Sequence, residues 1–493
     1  MSINRSMQFI VLCLPSPILG AAVITVGPGL DAQTIPDALV LAADGDEVAI
    51  ASGTWVAAAA SEPVLQLQQR ALTVRALDAS DPPVLDGGES GRAMVIDGGV
   101  VVLQDLVLQG GTIPGGDLDG DGATDDWERS GGAITMHNAT VTMQRVSLHG
   151  GTALHGGCLG AWDSDVLCTD VDITSGVATF FGGGVRVHGG VFVWNGGNTS
   201  HCISDTGGAI AGGGGCAVTL SDVSVQSCSA TYYGGGVCLD SSQSSVNTIF
   251  SDVSVMQCSA SQSGGGVYVY GGELQATNLV VEQCQAANGA GVDAIAAVLD
   301  INVGALRDNI ASDEGGGLRV VDGSASLERV TVQRNEAVYG AGVLLDWCDE
   351  ASLLDVSYSE NDAQLRGGAL YATGARDTYV TQCQVSGNTA GLGVDGMVFA
   401  SSNAGLVSDT SFCGQAVHVG GVWTDLGGNS FEQACSGASC VGDVDGSGQI
   451  GPGDLVDLIF LWGSGSGAAD CDEDGLVGVL DLIALLKRWG IVC

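Results

Sequence analysis

The stretch GGGLRVVDGSASLERVTVQRNEAVYGAGV, residues 315–343, decides the fold. It opens and closes on one small-residue phrase, Gly315-Gly-Gly-Leu and then Gly340-Ala-Gly-Val. Between them apolar residues alternate over short runs such as Val330-Thr-Val332, and Asn335 stands just ahead of the second phrase. A period of two over so few residues predicts strands with one buried face, and the glycines mark the turns. The phrase recurs at Gly131, Gly156, Gly182, Gly207, Gly234, Gly264, Gly289 and Gly367. Ahead of the phrases runs one marked position, occupied by Gly150, Gly176, Cys202, Cys228, Cys258, Cys284, Asn309, Asn335, Asn361 and Asn388. Its gaps are 26, 26, 26, 30, 26, 25, 26, 26 and 27 residues. Two or three short strands in such a repeat form one coil of a solenoid. A single coil cannot bury its apolar face, so coils stack in parallel roughly 4.8 Å apart. The expected fold is mainly β, a parallel β-helix.

Stacking puts equivalent positions on top of one another. Asparagines so aligned pass side-chain amide hydrogen bonds along the column, and cysteines fill the same slot as small apolar groups. Parallel Cβ vectors disfavour disulfides between neighbouring cysteines.

At the N-terminus, Arg5, the apolar run Phe9 to Ile18 and Gly20-Ala-Ala22 read as a signal peptide over residues 1–22, so export is expected. Val23-Ile-Thr-Val then forms a strand. Thr34 is an N-cap with Asp37 three residues on, the helix runs to Ala43, and Gly45 stops it. Asp46-Glu-Val-Ala-Ile begins the next strand. Such a helix closes the open end of the solenoid. The formal net charge is −41, and Lys487 is the only lysine. That charge excludes nucleic acid and anionic lipid as partners. No later stretch is long and apolar enough to span a membrane. Cys13 lies in the signal, which leaves 15 of the 16 cysteines, an odd number.

Residues 117–128 match a twelve-residue calcium loop of the EF type. Asp117, Asp119 and Asp121 take positions 1, 3 and 5, and Gly122 takes the sharp turn at 6. Ala123 offers its carbonyl at 7, Asp125 stands at 9 and Glu128 closes the loop at 12. So many carboxylates in so short a loop repel one another without a cation. The expected cofactor is Ca²⁺, ordering an insertion between coils.

After Phe431 the repeat stops. Residues 433–440 read as a linker, and residues 441–493 contain two similar halves, each an acidic loop running into an amphipathic helix that ends at Trp462-Gly463 or Trp489-Gly490.

The cap and coils of residues 23–432 resemble the right-handed parallel β-helix proteins of the pectin-lyase-like superfamily. The Gly-Gly-Ala-Ile phrase with Asn ahead of it is similar to the repeats of polymorphic outer-membrane proteins. The duplicated loop–helix resembles a type I dockerin. That resemblance implies calcium ligands at Asp443, Asp445, Ser447, the Gln449 carbonyl and Asp454, and in the second half at Asp470, Asp472, Asp474, the Leu476 carbonyl and Asp481. It also implies a cohesin-like partner. The sequence departs from the family at loop positions 10 and 11, where Pro452-Gly453 and Val479-Leu480 replace the usual hydroxyl residues. A divergent partner, or the protein's own β-helix, is the alternative. Cys440 and Cys493 bracket the module, whose ends lie close together in the family fold, so a disulfide clasp between them is expected.

Relatives on this fold include polysaccharide lyases and hydrolases. No lysine serves as a base within the β-helix, and no arginine or carboxylate motif of those enzymes is evident. Carboxylate pairs for hydrolysis come to Asp163/Asp165, Asp313/Glu314 and Asp346/Asp349. His149, His155 and His188 each precede Gly-Gly and read first as turn residues. Trp162, Trp194, Tyr232, Tyr233, Tyr268, Tyr270, Trp347 and Tyr371 are candidates for a sugar-stacking platform. The leading expectation is a secreted, calcium-binding β-helix acting in adhesion or polysaccharide binding. A dockerin-bearing carbohydrate-active enzyme is the alternative.

Overall fold

The computed structural model describes residues 21–57, 62–89, 91–113, 118–119, 121–242, 246–400 and 405–432, then 455, 458–459, 461–462, 469 and 477–487. Residues 1–20 of the expected signal peptide, Asp117, residues 433–440 of the expected linker with Cys440, and Cys493 lie outside the described residues. So do Asp443, Asp445, Ser447, Gln449, Asp454, Asp470, Asp472, Asp474 and Leu476.

One coil explains the rest. Gly315 has φ 64°, a left-handed conformation that glycine adopts without steric cost. Leu318–Val321 follows as a strand, and Asp322 turns the next corner at φ 51°. Ser324–Gln333 is a longer strand, bent where Arg329 has φ 56°. Arg334 turns again at φ 50°, and Glu336–Tyr339 brings the chain to Gly340. Single left-handed residues therefore make the corners and the bend of this coil, glycine and Asp at two of them and arginine at the other two. Inside the coil lie Leu318, Val320, Leu327, Val330 and Val332, all fully or almost fully buried.

Successive coils pair in parallel and in register, for example Leu318 with Val343 and Leu327 with Leu353. Strands Thr152–His155 through Thr389–Ala390 form a separate sheet of 10 strands, and the remaining paired strands join in one of 36. One apolar column runs inside from Ile24 to Phe412. The N-terminal helix spans Ile35–Leu41, with the Asp37 amide donating to Thr34 Oγ1 at 3.3 Å. It ends two residues earlier than Ala43, because the Ala42 amide already closes the last turn onto the Ala38 carbonyl. Ile35 and Ala38 bury its inner face in the core.

The marked column behaves as expected. Asn309, Asn335, Asn361 and Asn388 are buried, and each amide of the first three donates to the oxygen of the next at 2.8–3.0 Å. Cys202, Cys228, Cys258 and Cys284 are buried free thiols. Cys413 is disulfide-bonded.

In the C-terminal part a helix spans Val479–Lys487. It begins within the acidic loop of the second half, two residues before Asp481. The Asp481 carboxylate in its first turn accepts the Gly478 amide at 2.5 Å, capping the helix there. No helix among the described residues is long and apolar enough to cross a membrane.

Candidate functional site

The Gly-Gly corner gives the solenoid a lengthwise stripe made of three columns. The first comes from the end of the strand before the corner and contains His155, Phe181, Tyr233, Glu314 and Tyr339. The second is the outward residue just after the corner: Thr135, Gly160, Arg186, Ala211, Cys238, Tyr268, Asp293, Arg319, Leu344 and Tyr371. The third, two residues on, contains His137, Trp162, His188, Asp240, Tyr270 and Asp346. The left-handed glycine folds the first column onto the second. Arg186 therefore lies 4.8 Å from the Phe181 ring centroid, and Arg319 Nε lies 3.0 Å from Glu314 Oε2.

Aromatic side chains follow one another along this stripe. Trp162 stacks on His188 at 4.5 Å, Tyr233 on Tyr268 at 4.9 Å, and Tyr339 approaches Tyr371 at 5.6 Å. Phe180, Tyr232 and Tyr270 are exposed beside them. Of the aromatic candidates read from the sequence, Trp194 is misplaced. It is fully buried in the core against Phe192, with its indole N–H donating to the Gly196 carbonyl at 3.0 Å. Trp347 sits at the left-handed corner after Asp346 and is exposed.

The polar groups form two clusters. In the later one, Asp293 is fully buried and accepts from Arg319 Nη1 at 3.4 Å, with Glu314 on the far side of the same guanidinium. Burial pushes the Asp293 carboxyl above the ordinary range, although Arg319 and the Ser263 hydroxyl oppose the shift. Burial and the Glu314 charge raise Asp346 as well. Burial, then Asp293, raises the Tyr268 phenol. The expected pairs thus separate. Glu314 and Asp346 belong to the cluster, Asp313 is exposed on the sheet before the corner, and Asp349 pairs with Arg376 at 3.7 Å on the surface. Asp165 accepts the Val191 amide at 3.1 Å, and Asp163 occupies a left-handed corner.

In the earlier cluster, Arg186, His155 and His188 surround Phe181 and Trp162. Burial, then the Arg186 charge, pushes His155 down to about 4, and the same causes lower His188. His149 stands apart and pairs with Thr174 Oγ1 at 2.6 Å.

The acidic loop adjoins this cluster. Gly122 has φ 92°, as a sharp turn at its position requires. The Asp119 carboxylate accepts the Asp121 amide at 3.1 Å, and that of Asp121 accepts the Ala123 amide at 2.8 Å. Glu128 is buried at the base, where it accepts the amides of Leu118 and Asp125. Arg92, buried and pushed down to about 10 by that burial, donates to the carbonyls of Glu128, Ser130 and Gly131 and fixes the loop exit. Thr135 Oγ1 donates to the Trp127 carbonyl at 2.9 Å, and Trp127 stacks on His137. Residues 127–130 therefore rest on the stripe. Among the described residues no three His, Cys, Asp or Glu side chains converge as metal ligands. The donor chemistry of the loop, oxygen throughout, fits a hard cation.

Sequence reasoning missed Arg186, Asp293 and Arg319. The available signal was a charge in the second column, where the other coils carry Thr, Gly, Ala, Cys, Tyr or Leu.

No family model matches the chain. No curated protein sequence matches it either. Among solved structures, the A-module of the mannuronan C-5 epimerase AlgE6 of Azotobacter vinelandii is similar at 14% identity, covering 78% of this chain and 90% of that one. Its TM-score is 0.27, too low for residues to be compared.

Proposed function

We propose that this protein is an exported polysaccharide-binding β-helix, ordered by calcium and assembled through a C-terminal dockerin-like module. The observation that carries the reading is the run of aromatic side chains on one stripe of successive coils, from Trp162 to Tyr371. Coils repeat about every 4.8 Å along the axis, a step comparable with one sugar ring. A linear glycan laid along the stripe meets a ring face or edge on the coils of Trp162, Phe181, Tyr233, Tyr268, Tyr339 and Tyr371, and polar or aliphatic residues on those of Ala211, Asp293 and Arg319.

A carbohydrate-active enzyme is the second reading, supported by Asp293 and Glu314 on successive coils. Asp293 has no exposed surface, and both carboxylates are held by one guanidinium. A hydrolase needs two carboxyls open to the bond between them, so binding is favoured.

Affinity electrophoresis through gels carrying acidic and neutral polysaccharides tests the reading, with reducing-end and unsaturated-product assays on the same panel. Tyr232→Ala and Tyr270→Ala remove exposed rings and should leave the fold intact. Each should weaken retention by about 1 kcal/mol, roughly fivefold. A double variant retained as strongly as wild type would sink the proposal. Turnover abolished by Glu314→Gln would replace it with the enzyme.

Calcium is read from the loop's sequence and supported by the Gly122 turn and the inward Glu128. Asp119, Asp121, the Ala123 carbonyl, Asp125 and Glu128 would hold the ion together with Asp117. It would neutralise carboxylates crowded beside the stripe. Titration of the chelator-treated chain should show calcium uptake, with Glu128→Gln weakening the body site at least about tenfold. Uptake unaffected by that change would remove the loop from the calcium inventory. The dockerin ligands, Asp481 among them, are proposed on the resemblance alone.

A further inference from the structure

Among the described residues, seven buried side-chain polar atoms lack a hydrogen-bond partner, and four of them are Trp127 Nε1, His155 Nδ1, Arg186 Nε and His188 Nδ1. The last three belong to the earlier cluster of the stripe, whereas Trp127 stacks on His137 two coils before His188. Arg186 is the decisive one. It is only 8% exposed, and its guanidinium makes no ion pair or hydrogen bond among the described residues. Its neighbours on the sheet are Gly160 and Ala211, which offer no side-chain acceptor. Its one directed contact is the face of Phe181.

A buried cation without a partner is costly. Scarcity of carboxylates is not the cause, since the chain carries 56 Asp and Glu against 15 Lys and Arg. The acidic groups that act on Arg186 from a distance, Asp240 and Asp126, form no ion pair with it. Asp126 lies 4.0 Å from His155 Nε2, Asp163 acts on His188, and Arg129 adds positive charge near His155. The unpaired Arg186 Nε is a donor, and each histidine Nδ1 becomes one in the matching tautomer. Such a set is complementary to an oxyanion, and a guanidinium fork suits one with two oxygens in a plane.

We propose that Arg186, with His155 and His188, forms an anion subsite at the start of the stripe that takes the carboxylate or sulfate ester of an acidic sugar. The sugar assignment rests on the polysaccharide-binding reading, whereas the anion site stands on these three residues. The flanking Trp162 and Phe181 rings supply the apolar wall against which the sugar lies.

Calorimetric titration of the full chain with sodium glucuronate, sodium sulfate and glucose, at one ionic strength set by chloride, tests the site. Polyuronate, sulfated galactan and neutral glucan gels form the polymer arm. Two variants are informative. Arg186→Met keeps the length of the stem and removes the charge. Gly213→Asp supplies a carboxylate from within: a Cβ there meets Arg186 Nη2 at 3.0 Å and Nη1 at 3.3 Å, a tight contact that the flexible end of the arginine relieves by shifting a few tenths of an ångström beside the new carboxylate.

Wild type should bind glucuronate or sulfate and not glucose, and the better of the two names the anion. Both variants should lose at least tenfold in that affinity while their melting temperatures rise, since each relieves an unpaired buried charge. A guanidinium with a purely structural role would give lower melting temperatures instead. Absence of anion binding by wild type, or affinity within twofold in both variants, overturns the subsite. Neutral glucan held as tightly as the acidic polymers also overturns it and leaves the polysaccharide reading standing. Glucuronate binding without retention by any polymer does the reverse.

Discussion

Asn335→Ala should be among the most destabilising single substitutions in the β-helix, at about 4 kcal/mol. The side chain is fully buried and works in both directions. Its oxygen accepts the backbone amide of Asn309 at 3.1 Å and the Asn309 side-chain amide at 3.0 Å. Its own amide donates to the Leu306 carbonyl at 2.8 Å and to Asn361 Oδ1 at 2.9 Å. Alanine strands the buried Asn309 backbone N–H outright, takes one of two acceptors from the Asn309 side-chain amide, which keeps the Val281 carbonyl at 3.0 Å, and leaves the Leu306 carbonyl without this donor. Each buried group so orphaned costs roughly 1–3 kcal/mol. Asn361 Oδ1 still receives the Asn335 backbone amide at 3.0 Å, so the damage falls mainly toward the N-terminal side. The matching change in the cysteine part of the column, Cys228→Ala, removes a thiol whose links are weak and should cost only about 1–2 kcal/mol. Because coils contact only their neighbours, hydrogen exchange is the suitable measurement. Protection should fall at the amide of residue 309 and in the coils adjoining it, and remain unchanged near residues 140–170. Equal effects of the two substitutions would mean that the asparagine column adds nothing beyond filling space.

The architecture was legible because its cause is periodic. Glycine at the corner, alternating apolar residues and the Cys-then-Asn column each recur about every 26 residues, and every repetition reinforces the same coil. The site was less legible because it is made by residues one coil apart. Asp293 lies in the run Val292-Asp-Ala-Ile, where alternation places it outward and suggests solvent. Its outward face is instead covered by Arg319 from the next coil and by the strand end across the glycine corner. Arg186 in Val185-Arg-Val has the same disguise. Trp194 failed in the opposite direction. The left-handed pair Gly189-Gly190 resets which parity faces inward, so Phe192 and Trp194 enter the core while Val191 and Val193 face out. Local alternation does not carry through a corner. In the acidic loop the turn is local, and Gly122 has the left-handed backbone expected at its position.

The charge of Asp293 leads to the other large effect. Arg319→Met should cost about 3–5 kcal/mol at pH 7, because it leaves a fully buried carboxylate without its counter-ion. Loss of the partly exposed Glu314 pairing should add less than about 1 kcal/mol. The pH dependence separates this cause from loss of packing. Asp293 already titrates above the ordinary carboxylate value in the folded chain, since burial outweighs Arg319. A raised folded-state value means that the native state holds the proton more tightly than the unfolded state. The resulting stability is present in full below the unfolded value of about 3.9 and is lost as pH rises through the folded one. Removing Arg319 raises the folded value further, so the loss in the variant continues to higher pH than in wild type. The two proteins should therefore differ little near pH 4 and diverge steadily toward pH 7. Comparing them at each pH cancels the other carboxylates. Asp293→Asn combined with Arg319→Met removes the buried charge together with its partner and should recover most of the stability with a flat profile. A penalty for Arg319→Met that stays constant from pH 4 to 8 would assign the effect to the arginine stem, and Asp293 would then be neutral in the native protein throughout that range.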